Sequence, residues 1–247
     1  YHAVGMNVPL FNRWFHAQLL ASRDGVVLMA EDGYWKNFIM GHPKLHSEII
    51  PNGIKVPCQG SISREVRQAY RRELEIPDDC QFIIGTVGML RPDRQPWRLL
   101  SIFAEVAQVL GEKVHFLIAG GGAEKELDHM RSLINEQGLE GKVHLPGLVL
   151  NPGKPRSIMD LYITLNVGSI TGIAALEAAC SGLPVLALQM LEQYDSTHED
   201  WIWSSADSGE VAERAISLIR SPKDRGELAE KQQTYVRANH TAGSMAD

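Results

Sequence analysis

The 247-residue sequence has only three cysteines, Cys58, Cys80 and Cys180, odd in number and far apart. That rules out a disulfide framework and the paired-cysteine spacing of a zinc site, and it is the usage expected of a reducing, cytoplasmic compartment. No run of about eighteen apolar residues occurs, so no stretch reads as a span across a bilayer. There is no excess of positive charge: 24 Lys and Arg against 30 Asp and Glu give a formal net charge of −6, which supplies no general attraction to nucleic acid or an anionic membrane. No internal repeat, coiled coil or low-complexity tract is present. The sequence also lacks H-E-x-x-H and Asp-x-Asp, so neither the zinc-protease spacing nor that metal-holding carboxylate pair is available.

What is present is the composition of an ordinary globular protein, 44% hydrophobic and 22% charged, with 22 Gly and 12 Pro to punctuate it. Residues 1 to about 20 place Phe11, Trp14, Phe15, Leu19 and Leu20 on one helix face. A short strand from Gly25 to Met29, a helix around Tyr34 to Met40 and an apolar stretch from Glu48 to Ile50 follow. Pro51-Asn52-Gly53 is a turn signal, and Val56 to Ser61 has the aperiodic Pro and Gly composition of a linker. Residues 1–56 therefore read as an attached piece with its linker, and residues 57–247 as the large domain.

The large domain alternates strand and helix. Ser63 to Leu74 is a capped amphipathic helix whose mixed Arg and Glu charges predict a solvated face. Gln81 to Val87 is a strand and Trp97 to Leu110 a helix. Val114 to Ala119, nearly continuous in apolar residues, is a strand buried on both sides. Ala123 to Gln137, Val143 to Leu145, a short helix near Ser157, Leu161 to Leu165, Ile173 to Ser181 and Pro184 to Leu188 continue the series, closed by helices from Gly209 to Arg220 and Pro222 to Asn239. This order predicts an α/β fold, a Rossmann-like parallel sheet with helices on both faces.

In such a sheet, ligands bind beyond the carboxyl ends of the strands. Three loops lie there. Gly88 to Pro96 offers Arg91, Arg94 and, just inside the next helix, Arg98, each able to form paired hydrogen bonds to phosphate; a solvated loop is the plain alternative. Gly120-Gly121-Gly122 is either a tight turn or a backbone cradle, and Lys125 in the last position removes the dinucleotide fingerprint. Gly168 to Gly172 opens the helix Ile173 to Ser181, whose free N–H groups form an anion site. That helix is apolar apart from Glu177. A lone carboxylate there either lines a cavity or has a partner, and next to an anion site it suits a nucleotide, with phosphate on the helix start and the ribose on the carboxylate. His115 and His144 fall within strand patterns and read as core or sheet-surface residues. The acidic loop Gln193 to Asp200, with Asp195, His198, Glu199 and Asp200, reads as solvated rather than metal-binding.

The segments IIPNGIKV at Ile49 to Val56, GTVGMLRPDRQPWRLLSIF at Gly85 to Phe103, HFLIAGGG at His115 to Gly122, KVHLPG at Lys142 to Gly147 and GIAALEAACSGLPVLA at Gly172 to Ala187 together resemble the donor half of a family 4 glycosyltransferase of the GT-B fold. The resemblance implies a nucleotide-diphosphate sugar as co-substrate, with no separate cofactor and no metal. It further implies retention of anomeric configuration and a role in glycan biosynthesis. The acceptor, a glycan, lipid or protein, would sit on an N-terminal domain, through which any peripheral membrane contact would be made. By the same resemblance Glu177 falls on the ribose-binding glutamate and Arg94 on the phosphate-binding lysine. Gly172, Ile173 and Ala174 fall on the diphosphate-binding helix start, Gly147, Leu148 and Val149 on the base-binding region, and Gly88 on the first loop. Two positions depart from the family: Ser169 stands where a glutamate would face the donor sugar, and Met89 where an arginine would follow Gly88, with Arg91 the nearby replacement. These departures define the alternative, a glycosyltransferase-like binding or scaffold subunit with impaired catalysis.

Overall fold

In the computed structural model, the described residues are 25–28, 46–55, 62–166, 171–189 and 201–243. The predicted helix face in residues 1 to 20, the helix Tyr34 to Met40, the linker Val56 to Ser61, Ser169 and the acidic loop Gln193 to Asp200 lie outside them. Two short strands, β1 (Gly25–Leu28) and β2 (His46–Ile49), pair in parallel. The second begins two residues before the predicted apolar stretch.

The larger sheet contains β3 (Phe82–Val87), β4 (Val114–Ala119), β5 (Val143–Gly147), β6 (Leu161–Asn166), β7 (Val185–Gln189) and β8 (Trp203–Ser205). All pair in parallel in the order β5-β4-β3-β6-β7-β8. The helices are α1 (Arg64–Glu73), α2 (Arg98–Leu110), α3 (Glu124–Glu136), α4 (Gly153–Arg156), α5 (Ile173–Cys180), α6 (Ser208–Arg220) and α7 (Pro222–Asn239). Local chemistry sets their ends. Ser63 accepts from the Val66 N–H at the start of α1, Asp207 from Gly209 and Glu210 at the start of α6, and Ser221 from Asp224 at the start of α7, where Pro222 occupies the first turn.

One strand was not foreseen. The segment from Trp203 to Ser205 is too short to display alternation and ends in two serines, yet it pairs with Leu186 to Leu188 and forms the sheet edge. Because β8 does not reach Val185, the fully buried Gln232 of α7 takes its place. Its Oε1 accepts from the Val185 N–H at 2.7 Å, and its Nε2 donates to the Val185 carbonyl at 2.8 Å.

Each face of the sheet carries its own apolar cluster. On one side α2, α3 and α6 pack over β3, β4 and β6, with Phe103 stacked on Phe116 at a 4.4 Å centroid distance. On the other, Tyr70, Tyr162, Trp201 and Val236 join the apolar face of α5. Strand β4 is buried throughout, as its continuous apolar run predicts. The cysteines need a correction: Cys80 is a buried free thiol, but Cys180 is disulfide-bonded, so the argument for a reducing compartment from three reduced thiols does not hold.

Candidate functional site

Strand order reverses between β3 and β6, since β4 and β5 lie on one side of β3 while β6, β7 and β8 lie on the other. The ladder between these two strands is short, with Ile84 opposite Leu161 and Gly85 opposite Tyr162. At its amino end Asp160 clamps Ile83, accepting its N–H at 2.8 Å and donating its own N–H to the Ile83 carbonyl at 2.7 Å. At the carboxyl end the ladder stops and the buried Tyr162 hydroxyl takes over. It accepts from the Val87 N–H at 3.1 Å and donates to the Val87 carbonyl at 2.9 Å. Burial pushes the Tyr162 pKa up, which keeps the hydroxyl a donor. Tyr162 thereby anchors the last residue of β3, immediately before Gly88. The crevice between diverging strands at such a reversal is where α/β sheets bind ligands.

The first loop runs alongside the glycine loop beyond the strand ends. Gly88 N–H donates to the Ala119 carbonyl at 2.9 Å and Leu90 N–H to the Gly121 carbonyl at 2.8 Å. A Cβ on Gly120 would stand 1.7 Å from the Gly88 carbonyl oxygen, so this glycine is required by the approach of the two loops. Of the two readings of the glycine loop, tight packing has a specific physical cause.

The arginines separate. Arg91 is exposed and forms a forked pair with Asp93, Nε to Oδ1 at 2.9 Å and Nη2 to Oδ2 at 2.7 Å. Arg94 closes a 3₁₀ turn begun by Pro92; it is exposed and has no ion pair among the described residues. Arg98 is corrected as a phosphate candidate. Its guanidinium donates to the Gln189 carbonyl at 3.2 Å and the Ala206 carbonyl at 2.5 Å, fastening the start of α2 to the ends of β7 and β8. Met89 is exposed beside them.

Gly172 caps α5, and its carbonyl accepts from Ala175 and Leu176; the N–H groups of Gly172, Ile173 and Ala174 precede the first intrahelical bonds and are left at the helix start. Asn52 Nδ2 donates to the Thr171 carbonyl at 3.2 Å, tying the Pro51-Asn52-Gly53 turn to this loop. Glu177 lies one turn further on. Arg156 of α4, which the sequence reading passed over, donates from Nη1 to Glu177 Oε2 at 2.7 Å. The arginine side chain is 4% exposed and the glutamate 33%, so the cation is inside and the carboxylate faces outward. Of the two alternatives for the lone carboxylate, a partner is present, and the carboxylate is also one-third exposed.

Gly147 ends β5 in the left-handed region at φ +72°, turning the chain into Leu148 and Val149. Leu148 is exposed, 3.5 Å from where a Cβ of Gly121 would lie, while Val149 packs against the core on the α5 side. The histidines are elsewhere. His115 and His144 occupy the second positions of β4 and β5, at the amino end of the sheet, with Nδ1 of the former 3.0 Å from Nε2 of the latter. Burial lowers both pKa values, and proximity to His115 helps bring His144 down to about 4. Among the described residues no group of three His, Cys, Asp or Glu is placed to hold a metal.

The family model for glycosyl transferases group 1 matches residues 81–221, which contain every strand of the larger sheet and all three site loops. The chain belongs to this family. The fold of this group 1 glycosyl transferase is found in solved GT-B enzymes. HepE of Anabaena in complex with UDP superposes with a TM-score of 0.80 at 16% identity, over 97% of this chain and 66% of that one. Sucrose-phosphate synthase of Thermosynechococcus elongatus gives 0.75 at 16%, over 98% and 61%. A mutant of TarM from S. aureus, in complex with Fondaparinux, alpha-GlcNAc-glycerol and UDP, gives 0.74 at 17%, over 96% and 45%. The chain thus spans two-thirds or less of the length of these neighbours. No curated protein sequence matches it. Among the described residues no helix is long and apolar enough to cross a membrane.

Proposed function

We propose that this group 1 glycosyl transferase transfers a sugar, with retention, from a nucleotide-diphosphate sugar to an acceptor hydroxyl in glycan biosynthesis, residues 57–247 forming the donor domain and residues 1–56 the tail of an acceptor domain. The observation that carries the reading is the grouping at the β3/β6 reversal: N–H groups at the start of α5 after β6, Arg94 on the loop after the adjacent β3, and an outward Glu177 held from inside by Arg156. In this assignment the diphosphate lies against Gly172, Ile173, Ala174 and Arg94. The ribose donates to Glu177, and the base rests near Gly147, Leu148 and Val149. The acceptor oxygen bonds to the anomeric carbon as the bond to the β-phosphate oxygen breaks. That electron pair stays on the diphosphate, which takes up the acceptor proton. Charge grows on the leaving group, so preorganised N–H groups and a guanidinium supply the main stabilisation. UDP in the HepE and TarM structures supports a nucleotide donor without fixing the base here.

The experiment is calorimetry of the full-length protein with uridine, guanosine and adenosine diphosphate sugars, followed by transfer assays with the donor that binds. Glu177→Ala should then lower kcat/KM by an amount equivalent to roughly 1.5–3 kcal/mol, the scale of hydrogen bonds to a charged group. An unchanged kcat/KM in a folded variant removes Glu177 from the site. The neutral Ser169, the exposed Met89 and the pairing of Arg91 with Asp93 favour one second reading, a binding or scaffold subunit. Tight donor binding with no turnover by the complete protein would select it.

A further inference from the structure

We infer that Arg156 is a positioning residue that sets the direction in which Glu177 accepts from the donor's ribose; this rests on the nucleotide-sugar reading of the site. Arg156 ends the four-residue helix α4, whose Gly153 and Pro155 are also buried, so the backbone carrying it is packed in place. Its guanidinium lies inside the protein and meets a carboxylate 21 residues away.

A stability role alone accounts poorly for that arrangement. Buried ion pairs exchanged for apolar residues of similar volume are often neutral or more stable, and the surroundings of α5 are already apolar. The asymmetry of exposure supplies the missing reason. The cation is buried and the anion is one-third exposed, the order that suits a carboxylate used at the surface and held from beneath.

The physical effect follows from torsional freedom. A glutamate on an apolar helix, with nothing to hold it, distributes over several rotamers. Nη1 at 2.7 Å holds Oε2 and narrows the rotamers open to the carboxylate, so that Oε1, which has no partner among the described residues, presents its lone pairs over a restricted range of directions. An arginine does this better than a lysine, because the guanidinium is planar and permanently charged, whereas an ammonium rotates freely. A carboxylate oxygen accepts, which complements a ribose hydroxyl that donates.

The test measures ribose recognition separately from folding. UDP, GDP and ADP are titrated into the full-length protein by calorimetry, each beside its 2′,3′-dideoxy counterpart, and the ratio of the two dissociation constants is the readout. For the nucleotide that binds, the wild type should prefer the ribose form by about tenfold or more, the yield of a hydrogen bond to a charged group. Glu177→Gln should reduce that ratio to roughly threefold or less. Arg156→Leu should reduce it as far although Glu177 is intact, and Arg156→Lys should fall between, with a denaturation midpoint close to wild type. The inference is overturned, and the parent reading stands, if Glu177→Gln loses the preference while folded Arg156→Leu or Arg156→Lys keeps it. Should Arg156→Leu fail to fold, Arg156→Lys decides alone: a wild-type ratio overturns the inference and a reduced ratio supports it. If none of the three nucleotides binds, or Glu177→Gln leaves the preference intact, the parent reading fails and the inference falls with it.

Discussion

Two buried tyrosines allow one chemical change to be made in opposite circumstances. Tyr162 and Tyr70 are 1% and 3% exposed, and each loses a single oxygen on replacement by phenylalanine. The Tyr162 hydroxyl serves both backbone groups of Val87, where the β3/β6 ladder has ended, whereas the Tyr70 hydroxyl is buried with no hydrogen-bond partner among the described residues. Tyr162→Phe leaves a donor and an acceptor unpaired, each costing about 1–3 kcal/mol if fully buried. Val87 is only half-buried, so water recovers part of the loss and the net cost should be near 2 kcal/mol. For a chain of this size that is a fall in Tm of roughly 4–8 °C. Tyr70→Phe removes a group that was desolvated without return, and the packing of Lys154 over its ring, 5.6 Å from the centroid, survives. It should be neutral or slightly stabilising. Urea unfolding and thermal denaturation of both variants decide the matter. A Tyr162→Phe variant within about 0.5 kcal/mol of wild type would refute the claim that this hydroxyl substitutes for the missing ladder. A Tyr70→Phe variant as damaged as Tyr162→Phe would refute the claim that its hydroxyl is unpartnered.

The His115 and His144 pair should make the fold acid-sensitive. His144 has its folded pKa depressed from 6.5 to about 4, so its contribution is complete above the unfolded value and declines as pH falls from about 6.5 toward 4; unfolding free energies from urea titrations at pH 7 and pH 5 should differ by about 1–2 kcal/mol, a difference that His144→Gln largely abolishes. Gly120→Ala should push the two loops apart and cost about 1–3 kcal/mol, with a matching loss of nucleotide affinity by calorimetry, because its Cβ would sit 1.7 Å from the Gly88 oxygen. Arg94→Ala should weaken binding of the preferred nucleoside diphosphate by roughly 1–2 kcal/mol while leaving the much weaker binding of its nucleoside unchanged; equal losses for both would detach Arg94 from the phosphates.

Local chemistry made most of the fold legible. The apolar run of β4 requires burial on both faces, Ser63 and Pro222 mark helix starts, and the regular alternation after residue 62 admits little besides a parallel sheet. The features that escaped depend on partners distant in sequence. Arg156 and Glu177 are 21 positions apart, His115 and His144 are 29, and Arg98 and its Gln189 carbonyl are 91. No spacing rule connects such residues, because which strand ends and helices adjoin is decided by sheet order. The glycine loop was legible only in part. Its composition was plain, but three adjacent glycines cannot disclose that Gly120 is the one pressed against Gly88.

The arginines show how this bears on function. In the sequence Arg91, Arg94 and Arg98 are equivalent cations beside a helix start. Folding gives Arg98 to two strand-end carbonyls and Arg91 to the adjacent Asp93, while Arg156, unnoticed in a short helix, is buried against the one carboxylate of α5. Among the described residues of these loops, Arg94 keeps an exposed guanidinium without an ion pair. In the proposed reading, stabilisation of a departing diphosphate falls, among the described residues of these loops, on one side-chain cation and the N–H groups of one helix start, equivalent to about half a positive charge. With so few groups acting on the leaving group, their orientation matters more than their number. On the proposed reading such a site depends on the anchors beneath it: Tyr162 fixing the end of β3, Gly120 admitting the first loop, and Arg156 aiming Glu177.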